Sequence, residues 1–280
     1  MISQNENTVI VSRPKGIYRG FTKSLVVVLI PLMFLHFTLI SIADKAPGRE
    51  LPQPGEKLTY EVRWGIIPAG EVTVEVLPKQ TINGIEVYHF VLFAKTSELV
   101  DLFYKIRERQ DSYVDVGMTH SIFYKKKTES RHPRDESITF DWEKLEATYT
   151  NFGATKPPIH IPPGSFDPLG LFYALRFQHP NPKENSEIYT PLTDGNLNIE
   201  VKAIFGKRDV IEFEGKTYDI IEITPDMEMV NNLDKQKVVK KSDHPQLKAW
   251  VTDDEKKIPI KIRSKVGIIS FDADIVSGLY

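Results

Sequence analysis

The chain has 280 residues, 41% of them hydrophobic and 10% aromatic, enough to bury a sizeable core and to exclude disorder of the whole chain. Its formal net charge of −2 gives no basic excess of the kind that neutralises phosphates, so nucleic acid is not an expected partner. The absence of cysteine excludes disulfides, thiolate catalysis, cysteine-ligated zinc and the lipid-acceptor residue of a bacterial lipoprotein.

Residues 25–40, LVVVLIPLMFLHFTLI, form an apolar run without a formal charge. Arg13, Lys15, Arg19 and Lys23 precede it, and the small residues Ser41 and Ala43 follow. A basic region, an apolar region and small residues, in that order, make an export signal. With its small flanking residues the run approaches the roughly 20 residues that cross a bilayer. Residues 1–43 are therefore either a cleaved signal peptide or a retained N-terminal membrane anchor. Both readings place the remainder in the periplasm, soluble in one case and held at the inner membrane in the other. Residues 44–56, with three prolines and two glycines, read as a linker. Residues 57–280 read as a single β-rich domain.

From residue 57 the pattern has period two. Leu58, Tyr60, Val62 and Trp64 alternate with polar residues, as do Val72, Val74 and Val76, which predicts two strands with one buried face each. Trp64 and Val74 are expected on those buried faces. The segment GIIPAG between them reads as a turn or bulge, and Asn83-Gly84 as a hairpin turn. The strand predicted over 85–93 is apolar on both sides, with Val87, Val91 and Phe93 on one and Tyr88, Phe90 and Leu92 on the other. Such a strand needs two covers. A short helical turn is expected around 97–104 and a polar strand over 106–116. Ile138, Phe140 and Trp142 mark another strand. Asp167-Pro168 caps and starts a helix with a stripe of Leu169, Phe172, Tyr173 and Phe177, ending near Gln178. Further strands follow Asp194-Gly195, flank Glu214-Gly215 and the 253–255 turn, and cover 268–276. The polar stretch 226–246 reads as a long mobile loop. Roughly a dozen strand signals at hairpin spacing indicate a curved antiparallel sheet or partly closed β-barrel with one or two covering helices.

Chemical motifs are sparse. There is no HExxH, GxSxG or phosphate-binding glycine loop. His89 sits on a strand, where a core imidazole is the plain reading. His132, in SRHPRDES, has catalytic company but also reads as a solvated turn. Ser165 and Asp167 are explained by capping. Asp272 and Asp274 share a strand face that reads as exposed. Lys125 to Lys127 read as a solvated strand end or a phospholipid head-group contact. No catalytic or metal-ligating set emerges, and no cofactor is expected.

The stretches PGEKLTYEVRWGIIPAGEVTVEV (54–76), DLFYKIRERQDSYVD (101–115), DPLGLFYALR (167–176) and AWVTDDEKKIPIKIRS (249–264) resemble the domain of unknown function 3108 family. The resemblance covers about 54–277. It implies an exported bacterial envelope protein with a curved, partly closed antiparallel β structure, similar to the half-barrel of lipoprotein carriers. It supplies no catalytic residue. The resulting expectation is a non-enzymatic envelope protein that binds a lipid, acyl chain or envelope protein in an apolar groove lined by Tyr88, Phe90, Leu92 and Phe172. The alternatives are an interaction or assembly module anchored to the inner membrane and, behind it, a periplasmic hydrolase.

Overall fold

The computed structural model describes residues 51–178, 182–230, 246–266 and 269–279. The export segment expected over 1–43 lies outside the described residues, as do 231–245 of the expected loop. Among the described residues no helix is long and apolar enough to cross a membrane.

Strands β1 (Lys57–Trp64), β2 (Ile67–Ile82) and β3 (Ile85–Thr96) lead through a short helix α1 (Glu98–Asp101) to β4 (Arg107–Asp115), β5 (Ser121–Glu129), β6 (Arg134–Asp141) and β7 (Glu146–Asn151). The short β8 (Ala154–Thr155) and β9 (Ile159–His160) precede the helix α2 (Pro168–Gln178). The second half is β10 (Glu187–Thr193), β11 (Asn198–Phe213), β12 (Lys216–Val230), β13 (Gln246–Thr252), β14 (Pro259–Val266) and β15 (Ile269–Ser277). All belong to one antiparallel sheet, running from β10 to β15, then β1 to β8, with β9 on β7. The last strand pairs with the first, Val62 facing Ala273 across the ladder, so the two halves of the chain form one curved surface. The hydrogen-bonded path does not close into a barrel. Its edges approach through a bridge between Phe166 and Leu192 and through Gly195, which lies against Tyr149 and Ile138.

Turn chemistry punctuates this sheet where the sequence predicts. Asn83 and Gly84 both have positive φ, as do Glu214 and Gly215, the conformation that tight hairpins require. Alternation sets the faces: Leu58, Tyr60 and Val62 of β1, Val72, Val74 and Val76 of β2, and Ile262, Ala273 and Ile275 of β14 and β15 meet in a continuous core. The long helix α2 fills the concavity. Every residue from Leu169 to Phe177 is buried, so this helix is covered all round rather than on the single stripe expected from its sequence. A plug enclosed by a curved sheet has no solvent side.

Three other expectations are corrected. Trp64 is 49% exposed, although Leu58, Tyr60 and Val62 before it are buried as predicted. The register has not slipped. A bulge between Val62 and Arg63 and the end of β1 carry Trp64 past the edge of the core, where its ring lies 6.4 Å from Phe271. Likewise Phe93, expected to be buried with Val87 and Val91, is exposed near the end of β3 with the Arg109 guanidinium 5.0 Å from its ring centroid, while the two valines are buried. The expected loop 226–246 is shorter than its polarity suggested, because residues 226–230 continue β12 and pair with β11.

Candidate functional site

Of the four residues expected to line a groove, Tyr88, Phe90 and Leu92 lie on the inner face of β3 and Phe172 on α2, which packs against that strand. Tyr88, Phe90, Leu92 and Phe172 are all buried. The rings of Phe90 and Tyr173 stack with centroids 3.8 Å apart, and Tyr88 continues the stack 5.7 Å from Phe90. That is van der Waals packing between helix and strand with no room for an acyl chain between the rings.

Two polar devices hold α2 there. At its start Asp167 is fully buried, and one carboxylate oxygen accepts hydrogen bonds from the hydroxyls of Ser112 and Ser121, both 2.6 Å away. The other accepts from the backbone N–H groups of Leu169 and Gly170 at 2.9 and 2.8 Å, an N-cap that satisfies two free helix donors. Burial pushes the Asp167 carboxyl up, against those four hydrogen bonds. Near its end Arg176, also buried, forms a bidentate pair with Glu56 at 2.6 and 2.9 Å and donates to the Lys256 carbonyl at 3.0 Å. The phenol oxygens of Tyr60 and Tyr173 are buried without a hydrogen-bond partner, and burial raises both well above the usual tyrosine range, with Arg176 and Glu56 as secondary influences.

Across the concavity the inner face turns polar. Glu108 accepts hydrogen bonds from Gln110 at 2.6 Å and Thr128 at 2.7 Å, and burial raises its carboxyl despite the nearby Lys126. Lys126 pairs with Glu136 at 2.7 Å, and Tyr149 donates to the other oxygen of Glu136 at 2.6 Å. Burial pushes Glu136 up, but Lys126, Tyr149 and Arg134 together hold it below the usual range. Each carboxylate is thus fully engaged by neighbours, which suits a rigid internal network rather than proton transfer. Lys126 points into this network, so the run 125–127 is not a uniform solvated strand end. The plain readings hold for both histidines. His89 is buried, with Gln80 on Nδ1 at 3.0 Å and Asp111 on Nε2 at 2.9 Å, whereas His132 lies exposed in the β5–β6 turn. Asp272 and Asp274 pair with Arg263 and Lys261. Among the described residues no group of three or more potential ligands is arranged to hold a metal.

The apolar surface left over is concentrated at one end of the sheet. Ile66 at the tip of the β1–β2 turn is 96% exposed, and Leu102 and Phe103 after α1 are 75% and 80% exposed. The two tips are joined: Ser97 N–H donates to the Ala69 carbonyl at 2.9 Å, and the Ser97 hydroxyl to that of Pro68 at 2.7 Å. Beneath α1, Arg107 grips Asp101 through two hydrogen bonds of 3.0 and 2.5 Å. Beside them is a shallow depression of about 360 Å³, lined by Phe103, Tyr104, Lys105, Glu129, Ser130 and Arg131.

Comparison with known proteins assigns this chain to a family without assigning it an activity. The family described as protein of unknown function (DUF3108) matches residues 59–276. The chain belongs to that family. No curated protein matches the sequence. Among solved structures, this DUF3108 chain is similar to a β-barrel-like protein of domain of unknown function DUF1849 from Brucella abortus, with a TM-score of 0.52 and 10% identity over 81% of this chain and 98% of that one. A protein with a YmcC-like fold from Bacteroides fragilis aligns over 80% of this chain and 95% of its own, at 7% identity and a TM-score of 0.35. The DUF1849 likeness concerns the fold alone, at that identity.

Sequence reasoning about this DUF3108 protein singled out Tyr88, Phe90, Leu92 and Phe172, which the structure buries, and missed the inner polar network and the exposed rim. The network joins Glu108, Lys126, Glu136 and Tyr149 from four strands, and only strand pairing brings them together. The rim had a local signal: Ile66-Ile67 in the segment read as a turn, and Leu102-Phe103 shortly before Lys105, are apolar pairs in loops, where burial is not expected.

Proposed function

We propose that this protein is an exported, non-enzymatic component of the cell envelope that acts as a docking module, with the exposed rim around Ile66, Leu102 and Phe103 as its working surface. One observation carries the reading: the interior expected to hold a ligand is occupied by α2, whereas large apolar side chains stand in solvent at one end of the sheet. Apolar residues clustered in the open on a domain with a well-filled core mark a contact surface. Export is supported by the basic, apolar and small-residue order of residues 13–43. Among the described residues, the carboxylates Glu108, Glu136 and Asp167 are each held by several hydrogen bonds or ion pairs, which supports a binding role over hydrolysis.

A deletion strain provides the test. Wild-type protein is expected to restore envelope integrity, measured as detergent and bile-salt resistance. A variant with Ile66, Leu102 and Phe103 replaced by serine is expected to be exported and folded yet to fail. Full restoration by that variant would reject the rim as the working surface. Solvent extraction of the purified protein followed by mass spectrometry tests the groove alternative, which requires a stoichiometric co-purifying lipid.

A further inference from the structure

We infer that the partner of this rim is an anionic phospholipid bilayer, with the depression beside Phe103 accepting a phosphate head group; the inference rests on the reading of the rim as the working surface.

The shape of the rim is the first argument. Ile66, Leu102 and Phe103 project from loop tips rather than lining a concave seat. Separate protruding apolar tips suit insertion between lipid head groups, where each finds hydrocarbon without a complementary surface. A protein partner of ordinary size would instead need a broad, shape-matched patch. The tips are also held outward from below. Ser97 ties α1 to the β1–β2 hairpin, and Asp101 is clamped by Arg107 and by the Thr96 hydroxyl. Leu102 and Phe103 are therefore presented by a braced turn, which lowers the ordering cost of insertion.

Charge is the second argument. The acidic groups near the tips are largely neutralised within the fold: Asp101 by Arg107, Glu71 by Lys95 at 2.9 Å, and Glu129 faces Lys127 at 4.0 Å. Among the described residues Lys105 and Arg131 are left without an ion pair, against Glu98 of opposite sign. Both cations are exposed, and they line the same depression as Phe103, Tyr104, Ser130 and Glu129, whose carboxylate faces Lys127 at 4.0 Å. Two cations without a salt bridge, outnumbering the single carboxylate of the depression and standing next to a protruding aromatic ring, match a phospholipid, with phosphate on the cations and the ring among the upper acyl carbons.

The chain lacks cysteine, so a single introduced thiol can carry an environment-sensitive nitrobenzoxadiazole probe. F103C, I66C and, at the opposite end of the sheet, E86C are prepared in the full chain and reconstituted with vesicles. The N-terminal segment can bind every vesicle, so the probe position rather than co-sedimentation is read. With vesicles of phosphatidylcholine and phosphatidylglycerol, probes at 103 and 66 should shift to the blue and be quenched by brominated acyl chains, while the probe at 86 should not. With phosphatidylcholine alone the shift should be largely lost. Adding K105E and R131E to F103C should abolish it on anionic vesicles, with the circular dichroism of the fold retained. A probe at 103 that stays in water on anionic vesicles, or one that inserts equally into neutral vesicles and is indifferent to K105E and R131E, would overturn the inference. If the probe stays in water while the serine variant still fails to complement the deletion, only the lipid assignment falls and the rim remains a docking surface. Complementation by the serine variant would remove both.

Discussion

At the scale of single residues, Asp111 couples the sheet to pH. Burial pushes its carboxyl up, but hydrogen bonds from His89 and Arg109 outweigh this and bring it down to about 2. A carboxylate whose folded pKa lies below its unfolded value of about 3.9 stabilises the fold above that pH, and this contribution is lost as pH falls towards 2. Urea midpoints measured from pH 5 to pH 2 should therefore fall less steeply for Asp111→Asn than for the wild type. An unchanged slope would show that other carboxylates dominate acid unfolding. Trp64 makes a second residue-scale case. At the rim its truncation to alanine should cost under about 1 kcal/mol in urea unfolding, against the roughly 3–5 kcal/mol of a buried ring.

At the scale of elements, α2 is decided by fit rather than by propensity. Gly170 lies in its first turn, and a Cβ there would stand 2.8 Å from the Ser121 hydroxyl, 2.9 Å from the Asp167 carboxylate and 2.9 Å from a Val114 methyl group. Alanine is the better helix former by about 1 kcal/mol. Even so, Gly170→Ala should destabilise the protein by about 1–3 kcal/mol, because the added methyl group crowds the buried cap and cannot move into solvent. Chemical denaturation checks the sign, and a stabilised variant would mean that the cap relaxes freely. The same tightness explains why the wall of Tyr88, Phe90, Leu92 and Phe172 is a packed contact in this structure.

At the scale of the whole molecule, one buried ion pair ties three distant parts of the chain. Arg176 of α2 holds Glu56, just before β1, and the Lys256 carbonyl in the turn between β13 and β14. Arg176→Ala would leave Glu56 partly buried without its partner, a change that typically costs about 3–5 kcal/mol. The loss should appear as a lower urea midpoint, together with earlier proteolysis in the segment before β1. A fall under about 1 kcal/mol would show that Glu56 is readily rehydrated.

The sequence by itself determined the local features: strand alternation, hairpin turns at Asn83-Gly84 and Glu214-Gly215, and the Asp167-Pro168 helix start. These depend on periodicity and on φ preferences, which act over a few neighbouring residues. The motif stretches likewise sufficed to recognise the DUF3108 family. Tertiary structure alone decided three things. Pairing of β15 with β1 drew the halves into one sheet that stops short of closure, since register between distant strands is not written in either strand. Filling of the concavity turned the expected groove residues into packing contacts, because whether an apolar face meets protein, ligand or water depends on the volume left by other elements. Finally, the end of the core put Trp64, Ile66, Leu102 and Phe103 in the open, because alternation specifies which side a residue faces and not how far along the strand its cover extends.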